Sequence, residues 1–343
     1  MVQARRPSCP THGGGALSKL HNKEIIMQRY IVRRLILAIP TFFIATSLVF
    51  MMVRLVPGDI MLTILEESLV SELSKDVAQL KAELGLDKPI HEQYGSFIGG
   101  LFRGDLGVTL RDRQSVLDLI LTRLPVTFEL AILAQTWAIV LAIPIGVLSA
   151  IRQDTVVDYI TRSFAVLGIS LPSFWLATLA VTLPAIWFRW IPPIVYVPFF
   201  DDPLKNIQQF LIPAFILGLL LSGRLMRITR TMMLEVMRQD YIRTAWAKGL
   251  SERMVIYRHA LKNALIPVVT IAGLEIVGLI GGSVVIENIF AIPGMGQLFI
   301  QALTWRDYPI IQGINVIVVS WVILVNLLVD LSYARLDPRV RYT

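Results

Sequence analysis

Long apolar stretches alternate with polar ones along almost the whole chain. Six of them, near residues 31–53, 127–150, 162–188, 210–227, 265–286 and 310–331, approach or exceed the roughly 20 residues a helix needs to cross about 30 Å of hydrocarbon. Each carries at most a stray ionisable group away from its ends, and the fourth is the shortest. Helices that are apolar on all sides belong in lipid, so the pattern predicts an all-α integral membrane protein with six transmembrane helices. Pro40, Pro144, Pro172 and Pro184 fall inside the runs, where neighbouring helices can satisfy the carbonyls that proline frees.

The polar segments divide the chain further. Residues 1–26, MVQARRPSCPTHGGGALSKLHNKEII, mix Pro, Gly and charge without periodicity and are expected to be a disordered N-terminal extension, with Met27 as an alternative start. Residues 27–54 read as a first transmembrane helix. A cleaved signal peptide is not supported, because the apolar run is too long and no small-x-small site follows it. Residues 55–125 form the longest hydrophilic region, expected to be extracytoplasmic and partly helical. Within it Leu69, Leu73, Val77, Leu80 and Leu84 recur at helical intervals and Gly85 supplies a stop, giving either a cap that meets a partner or an amphipathic helix on the membrane surface. Residues 126–335 make the transmembrane core, with a cytoplasmic loop at 229–264, and 336–343 a cytoplasmic tail.

Composition agrees with this division: 55% of residues are hydrophobic, 17% are charged, and the mean hydropathy is +0.65. The cations set the orientation, since short loops rich in Lys and Arg stay in the cytoplasm. Between Arg224 and Lys262 lie Arg227, Arg230, Arg238, Arg243, Lys248, Arg253 and Arg258, against Glu235, Asp240 and Glu252. That loop is therefore expected inside, and with six spans so are both termini. The net charge of +7 marks a cytoplasmic rim, not a nucleic-acid-binding face. A single cysteine, Cys9, makes no internal disulfide, and His12, His21, His91 and His259 lack ligand spacing, so neither metal nor other cofactor is expected.

The basic loop has an internal pattern. QDYIRTAWAK is a good helix former, Gly249 a break, and Ser251 a cap for a following helix, which together predict an elbow. Tyr241, Ala245 and Lys248 share one face at helical spacing, where the small Ala245 would let a partner surface approach. A loop packed only on its own helices is the alternative. Deeper in the chain, Glu275 sits about ten residues into the fifth run, roughly 15 Å deep. A carboxyl at that depth faces protein or a water-filled path, so Glu275 is a candidate lining residue; Gly278 and Gly282, in GxxxG spacing, could bury the helix's other face. Glu287, Asn288 and the IPGMG turn at 292–296 are candidates for an outer gate, or form an ordinary loop.

At these residues the chain resembles the inner-membrane permease subunits of bacterial ABC importers, in the dipeptide, oligopeptide and nickel branch. The signature of that family is Glu-Ala-Ala, three residues, Gly, nine residues, then Ile-x-Leu-Pro. It falls here on Arg243, Thr244, Ala245, Gly249, His259, Leu261 and Lys262, with the proline displaced to Pro267. Ala245, Gly249 and Leu261 match, and DYIRTAWAKGLSERMVIYRHALKNALIPVV is similar to the peptide-branch form almost throughout. Further similar stretches are VPGD (56–59), LGLDKPIHEQY (84–94), RGDLGVTL (103–110), the Gly-Gly-x-Val-Val-x-Glu run to Glu287, IPGMGQL (292–298) and LDPRVRY (336–342).

The resemblance implies a type I ABC importer permease fold (MetI-like) with a helical extracytoplasmic insertion between the first two spans. It further implies that Asp240, Tyr241, Arg243, Thr244, Ala245, Lys248, Gly249 and Leu250 dock in a groove of a cytosolic ATPase. The implied partners are a second, homologous permease subunit, ABC ATPase subunits and an extracytoplasmic substrate-binding protein, in a bacterial or archaeal inner membrane. ATP hydrolysis is expected in a separate chain, since the sequence has no Gly-Lys dipeptide and therefore no phosphate-binding P-loop. An ion-gradient-driven transporter or channel is the alternative class, and would place interrupted-helix ion sites in repeats near the midplane. A membrane-embedded enzyme would need a nucleophile and base that neither GISLPS (168–173) nor the isolated histidines supply. The branch carries dipeptides, oligopeptides, nickel chelates, glutathione and sugars on the same motifs, and no motif in this chain selects among them.

Overall fold

The computed structural model describes residues 14–55, 87–193 and 195–336, and for 14–31 and 330–336 only the course of the backbone. Among the described residues the chain is helical, with no β-strand beyond a lone bridge between Val108 and Ser115. Helix α1 is Gly14–Leu55, α2 Ile90–Arg103, α3 Val116–Ile151, α4 Val156–Ser170, α5 Ser173–Phe188, α6 Pro203–Met237 and α7 Asp240–Ala247. A π-helical segment, Met254–Leu261, then runs directly into α8 (Lys262–Ile289), followed by α9 (Met295–Trp305) and α10 (Tyr308–Leu336). Among the described residues five helices are long and apolar enough to cross a membrane, at Val32–Leu55, Val116–Ile151, Pro203–Met237, Met254–Ile289 and Tyr308–Val329.

The expected third span corrects to a broken pair. α4 and α5 pass the same test together but bend by 94° between them. Pro172 is the cause: it disfavours helical geometry at the preceding residue, and Leu171 is extended at φ −81, ψ 129. Two boundaries also move. α3 starts at Val116, before the expected limit at 125, because Ser115 accepts a hydrogen bond from the backbone N–H of Asp118 and caps it. α6 starts at Pro203, behind Asp202, whose carboxylate accepts from the Lys205 N–H, and it continues unbroken to Met237. Arg224, Arg227 and Arg230 therefore lie on a spanning helix and not in a loop. Nor does the structureless extension reach residue 26, since α1 already runs from Gly14. Residues 16–28, ALSKLHNKEIIMQ, are mostly strong helix formers free of Gly and Pro. The amphipathic stretch expected at 67–86, residues 1–13 and the tail from 337 lie outside the described residues.

The core is built on α3, α6 and α8, with α4 laid against α6 and α10 against α1 and α8. Close approach at glycine sets the α3–α6 and α4–α6 seams. A Cβ on Gly218 would stand 2.5 Å from Trp137 Cβ and 2.6 Å from the Ala134 carbonyl oxygen, and one on Gly223 would stand 2.5 Å from the Ala165 carbonyl oxygen. In lipid, where apolar surface alone gives little drive for association, such small-residue contact lets dispersion and carbonyl packing hold helices together. Around these seams Leu130, Ala134, Phe210, Ala214, Leu217, Leu279 and Ile286 fill one layer, and Ala138, Ala142, Leu225, Met226, Val268 and Ala272 the next.

Two polar ties complete the frame. Asp158 of α4 is fully buried, and Arg230 of α6 grips it with Nε to Oδ1 at 2.9 Å and Nη2 to Oδ2 at 2.8 Å. Ser149 of α3 donates to the same carboxylate at 2.5 Å, so one ion pair joins three helices. At the base of α10, buried Asp307 accepts from the backbone N–H groups of Leu110 and Ile310. Burial pushes its carboxyl above the usual range, against those two hydrogen bonds. The α1–α2 contact rests on a 2.5 Å hydrogen bond between Ser47 and Tyr94, two from Arg54 to Gln93, and the ring of Phe50 against Tyr94 and Phe97.

Candidate functional site

The expected elbow is present. α6 ends at Met237, Gln239 turns the chain in an extended conformation, and α7 occupies Asp240–Ala247. Asp240 in its first turn suits the helix dipole, and its 3.6 Å pair with Arg243 is fully solvated and contributes little. Gly249 stops the helix at φ +75, a left-handed conformation that favours glycine. There its N–H donates to Trp246 O, and that of Leu250 to Ala245 O, satisfying carbonyls at the helix end. The chain then enters the π-helical segment, a rare geometry that frequently marks functional sites, and stays helical from Met254 to Ile289.

The face of α7 differs from the one expected. Ile242 is fully buried and Ala245 is 6% exposed, both in a cluster with Val147, Ala150, Met233, Val255, Ile256, Ala260 and Ala264. Ala245 is thus the residue that lets α7 lie close to its own chain. The spacing of Ile242 and Ala245, three apart, was the available sign of an inward face. What points outward is Tyr241, Arg243, Thr244, Trp246 and Lys248, with Gly249 beside them and Leu250 half-buried. Tyr241 and Trp246 are each 43% exposed, and Tyr241 OH accepts from Asn263 Nδ2 at 2.9 Å, which ties the elbow to the start of α8. Trp246 was not singled out by the sequence, although a large aromatic exposed on a charged elbow is a typical interface residue. Where α6 meets α7, an open cleft of about 420 Å³ is lined by Arg230, Thr231, Leu234, Glu235, Arg238 and Gln239.

The two candidate glutamates are in different settings, twelve residues or about 18 Å apart along α8. Glu275 is 8% exposed, and its Oε2 has no hydrogen-bond partner. Gly278 and Gly282 do not serve as a packing face within this chain, since a Cβ on either would meet nothing within 4 Å. Glu287 corrects from a candidate for an outer gate on the translocation path to an internal clamp. It is fully buried; its Oε1 accepts from Thr127 Oγ1 and Ser283 Oγ at 2.9 Å each, and its Oε2 from the N–H groups of Gly296 at 2.7 Å and Gln297 at 3.1 Å. Those amides open α9, so Glu287 caps that helix from the end of α8, while Thr127 accepts from Met295 N–H and adds α3. The IPGMG turn is small at Gly294 and Gly296 because the Glu287 carboxyl occupies the space a side chain would need. Asn288 is exposed, and its backbone carbonyl accepts from Ala291.

The chain is a bundle of long apolar helices carrying a basic, aromatic-tipped elbow, and comparison with known proteins decides its family. Residues 142–342 match the family described as binding-protein-dependent transport system inner membrane component, and residues 27–131 match its N-terminal region. The chain belongs to that family. It is therefore a transport permease of the ABC importer type, a multi-pass inner-membrane protein of a class that works with an ATPase and a substrate-binding protein. A Brucella melitensis protein assigned to a peptide transport system as its permease is 44% identical over 317 residues, covering 92% of this chain and 100% of that one. The dipeptide transport system permease protein DppB of Escherichia coli K12 is 39% identical over 339 residues, covering 92% and 99%. DppB of Alkalihalophilus pseudofirmus is 38% identical over 336 residues. Among solved structures, the permease chain matched in the inward-facing MetNI methionine ABC transporter superposes with a TM-score of 0.52 at 15% identity, over 64% of this chain and 96% of that one. An amino acid ABC transporter gives 0.50, also at 15%. These two show the shared fold.

Proposed function

We propose that this permease is one of two homologous membrane subunits of an importer for short peptides, both its termini lying in the cytoplasm. Its elbow docks on a separate cytosolic ATPase, which hydrolyses the ATP, and peptide arrives from an extracytoplasmic binding protein. The observation that carries the reading is the division of α7. Ile242 and Ala245 fasten it to α3, α6, the π-helical segment and α8, while Tyr241, Thr244, Trp246 and Lys248 stay uncovered. A helix held by several spanning helices and presenting an aromatic and cationic face has what a coupling lever needs. The names of the relatives support peptide as cargo, and Glu275 supports a polar route through the bundle.

The test is reconstitution of the co-purified complex in proteoliposomes. ATP-dependent accumulation of radiolabelled alanyl-alanine that requires the permease pair, the ATPase and the binding protein is the expected result. Uptake that proceeds without the ATPase, or an ATPase that does not co-purify, refutes it.

A further inference from the structure

The layer of α6 that holds Arg224 lies deep in the bundle. Its neighbours Leu225 and Met226 pack with Ala138 and Ala142 of α3 and with Val268 and Ala272 of α8. α3 carries no charged residue between Leu130 and Ile151, and Ala142 lies nine residues, roughly 14 Å, inward of its end at Ile151. Arg224 is nevertheless exposed, while Ser222, Gly223, Leu225 and Met226 around it are buried. Among the described residues its guanidinium has neither hydrogen bond nor ion pair. A bare cation at that depth is too costly against lipid and must face water, substrate or another subunit.

Across the α6–α8 seam stands Glu275, whose buried Oε2 also lacks a partner. Arg224 stands on the same seam, beside Leu225 and Met226 that pack on Val268 and Ala272 one turn before Glu275, and the two side chains form no ion pair within 4.0 Å. A guanidinium and a carboxyl oxygen without partners on one seam offer complementary ends to a molecule that carries both charges. An extended dipeptide spans about 7 Å and carries a cation at one end and an anion at the other. Approach from either side is open. Gly278 and Gly282 follow Glu275 with free space above them, and Arg224, Arg227 and Thr231 form an exposed polar row leading to the 420 Å³ cytoplasmic cleft.

We propose that Arg224 and Glu275 form a transit site for the two charged ends of a short zwitterionic peptide, the guanidinium taking the α-carboxylate and the Glu275 carboxyl the α-ammonium. This rests on the peptide-importer reading above and adds to it a selectivity element inside the membrane. Arg224 presents two N–H donors side by side to a carboxylate, a geometry lysine lacks.

The assembled importer in proteoliposomes provides the test, with binding protein saturated by alanyl-alanine, its C-terminal amide or its N-acetyl form, and uptake read per ATP hydrolysed. Loss of one charge-assisted contact is expected to slow the capped peptides about tenfold in the wild type. Arg224→Gln should slow alanyl-alanine about tenfold and add nothing to the deficit of the amide; Glu275→Gln should do the same for the N-acetyl form; Arg224→Lys should recover part of the rate. Equal slowing of all three probes, or wild-type uptake blind to capping, overturns the site, and the wild-type comparison decides even if a variant fails to assemble. Absence of ATP-driven uptake of every probe by the wild type instead overturns the peptide-importer reading itself.

Discussion

Two neighbouring residues of the elbow separate packing from docking. Ala245 is 6% exposed and surrounded by Val147, Ala150, Val255 and Ala260, so Ala245→Trp forces an indole into a filled core. Overpacking of this kind costs about 1–3 kcal/mol or more, and the permease alone should show it as a lowered thermal midpoint in detergent. Trp246, 43% exposed, is one residue further on. With an indole area of about 250 Å², roughly 110 Å² remains for a partner to cover, worth up to about 2.7 kcal/mol at 25 cal/mol per Å². Trp246→Ala should therefore leave the isolated permease as stable as wild type and weaken its hold on the ATPase by about tenfold to a hundredfold. ATPase retained on immobilised permease in mild detergent, titrated against ATPase concentration, gives the affinity. If Trp246→Ala binds ATPase normally, or Ala245→Trp leaves the thermal midpoint unmoved, the assignment of the two faces is wrong.

Other consequences concern the polar ties. Glu287→Ala strips the Gly296 and Gln297 amides of their acceptor in a dry site, at about 1–3 kcal/mol each, and should lower the thermal midpoint far more than Glu287→Gln, which keeps one acceptor oxygen. Asp158→Ala leaves Arg230, whose side chain is 20% exposed, without its ionic partner and should destabilise by about 3 kcal/mol, measured by detergent or denaturant titration. Asp307 titrates above its unfolded value, so its contribution is fully present at acid pH and fades as pH rises through the folded value. Asp307→Asn should flatten that part of the pH dependence of thermal stability, and an unchanged profile would count against the burial argument.

The spanning helices were legible because a bilayer leaves the backbone almost no choice: an apolar run of about 20 residues must be helical if it crosses at all. The elbow was legible for a similar local reason, a good helix former ended by a glycine with φ +75. Breaks and boundaries were less so. Pro144 stays inside a continuous helix while Pro172 ends one with Leu171 extended, although proline restricts the preceding residue in both places, so the residue type alone does not state which outcome follows. The cationic run from Arg224 reads as a loop in the sequence, yet its first three arginines lie on α6, because that helix runs unbroken to Met237. Glu287 shows the same limit at the site. Its four donors come from positions 127, 283, 296 and 297, and only folding brings the first of these to the others.

Those ties also decide what can move. Asp158 and Arg230 fix α4 to α6, Gly218 and Gly223 bring α3 and α4 into backbone contact with α6, and Glu287 with Thr127 locks α8, α9 and α3. A pull on α7 enters this frame through Ile242 and Ala245, and the continuous helix from Met254 to Ile289 extends about 54 Å from there at 1.5 Å per residue. Packed cores switch between discrete arrangements and do not flex continuously, so strain of that origin concentrates where ties are fewest. Among the apolar helices α5 is that place: Ala177 is its one buried residue, and it follows α4 across the 94° bend at Leu171 and Pro172. A disulfide fixing α5 to α8 should therefore slow uptake and leave binding of the ATPase untouched, whereas one between α3 and α6, which already move together, should change neither. If the α3–α6 cross-link blocks uptake as fully as the α5–α8 one, the frame is not the rigid unit its hydrogen bonds indicate.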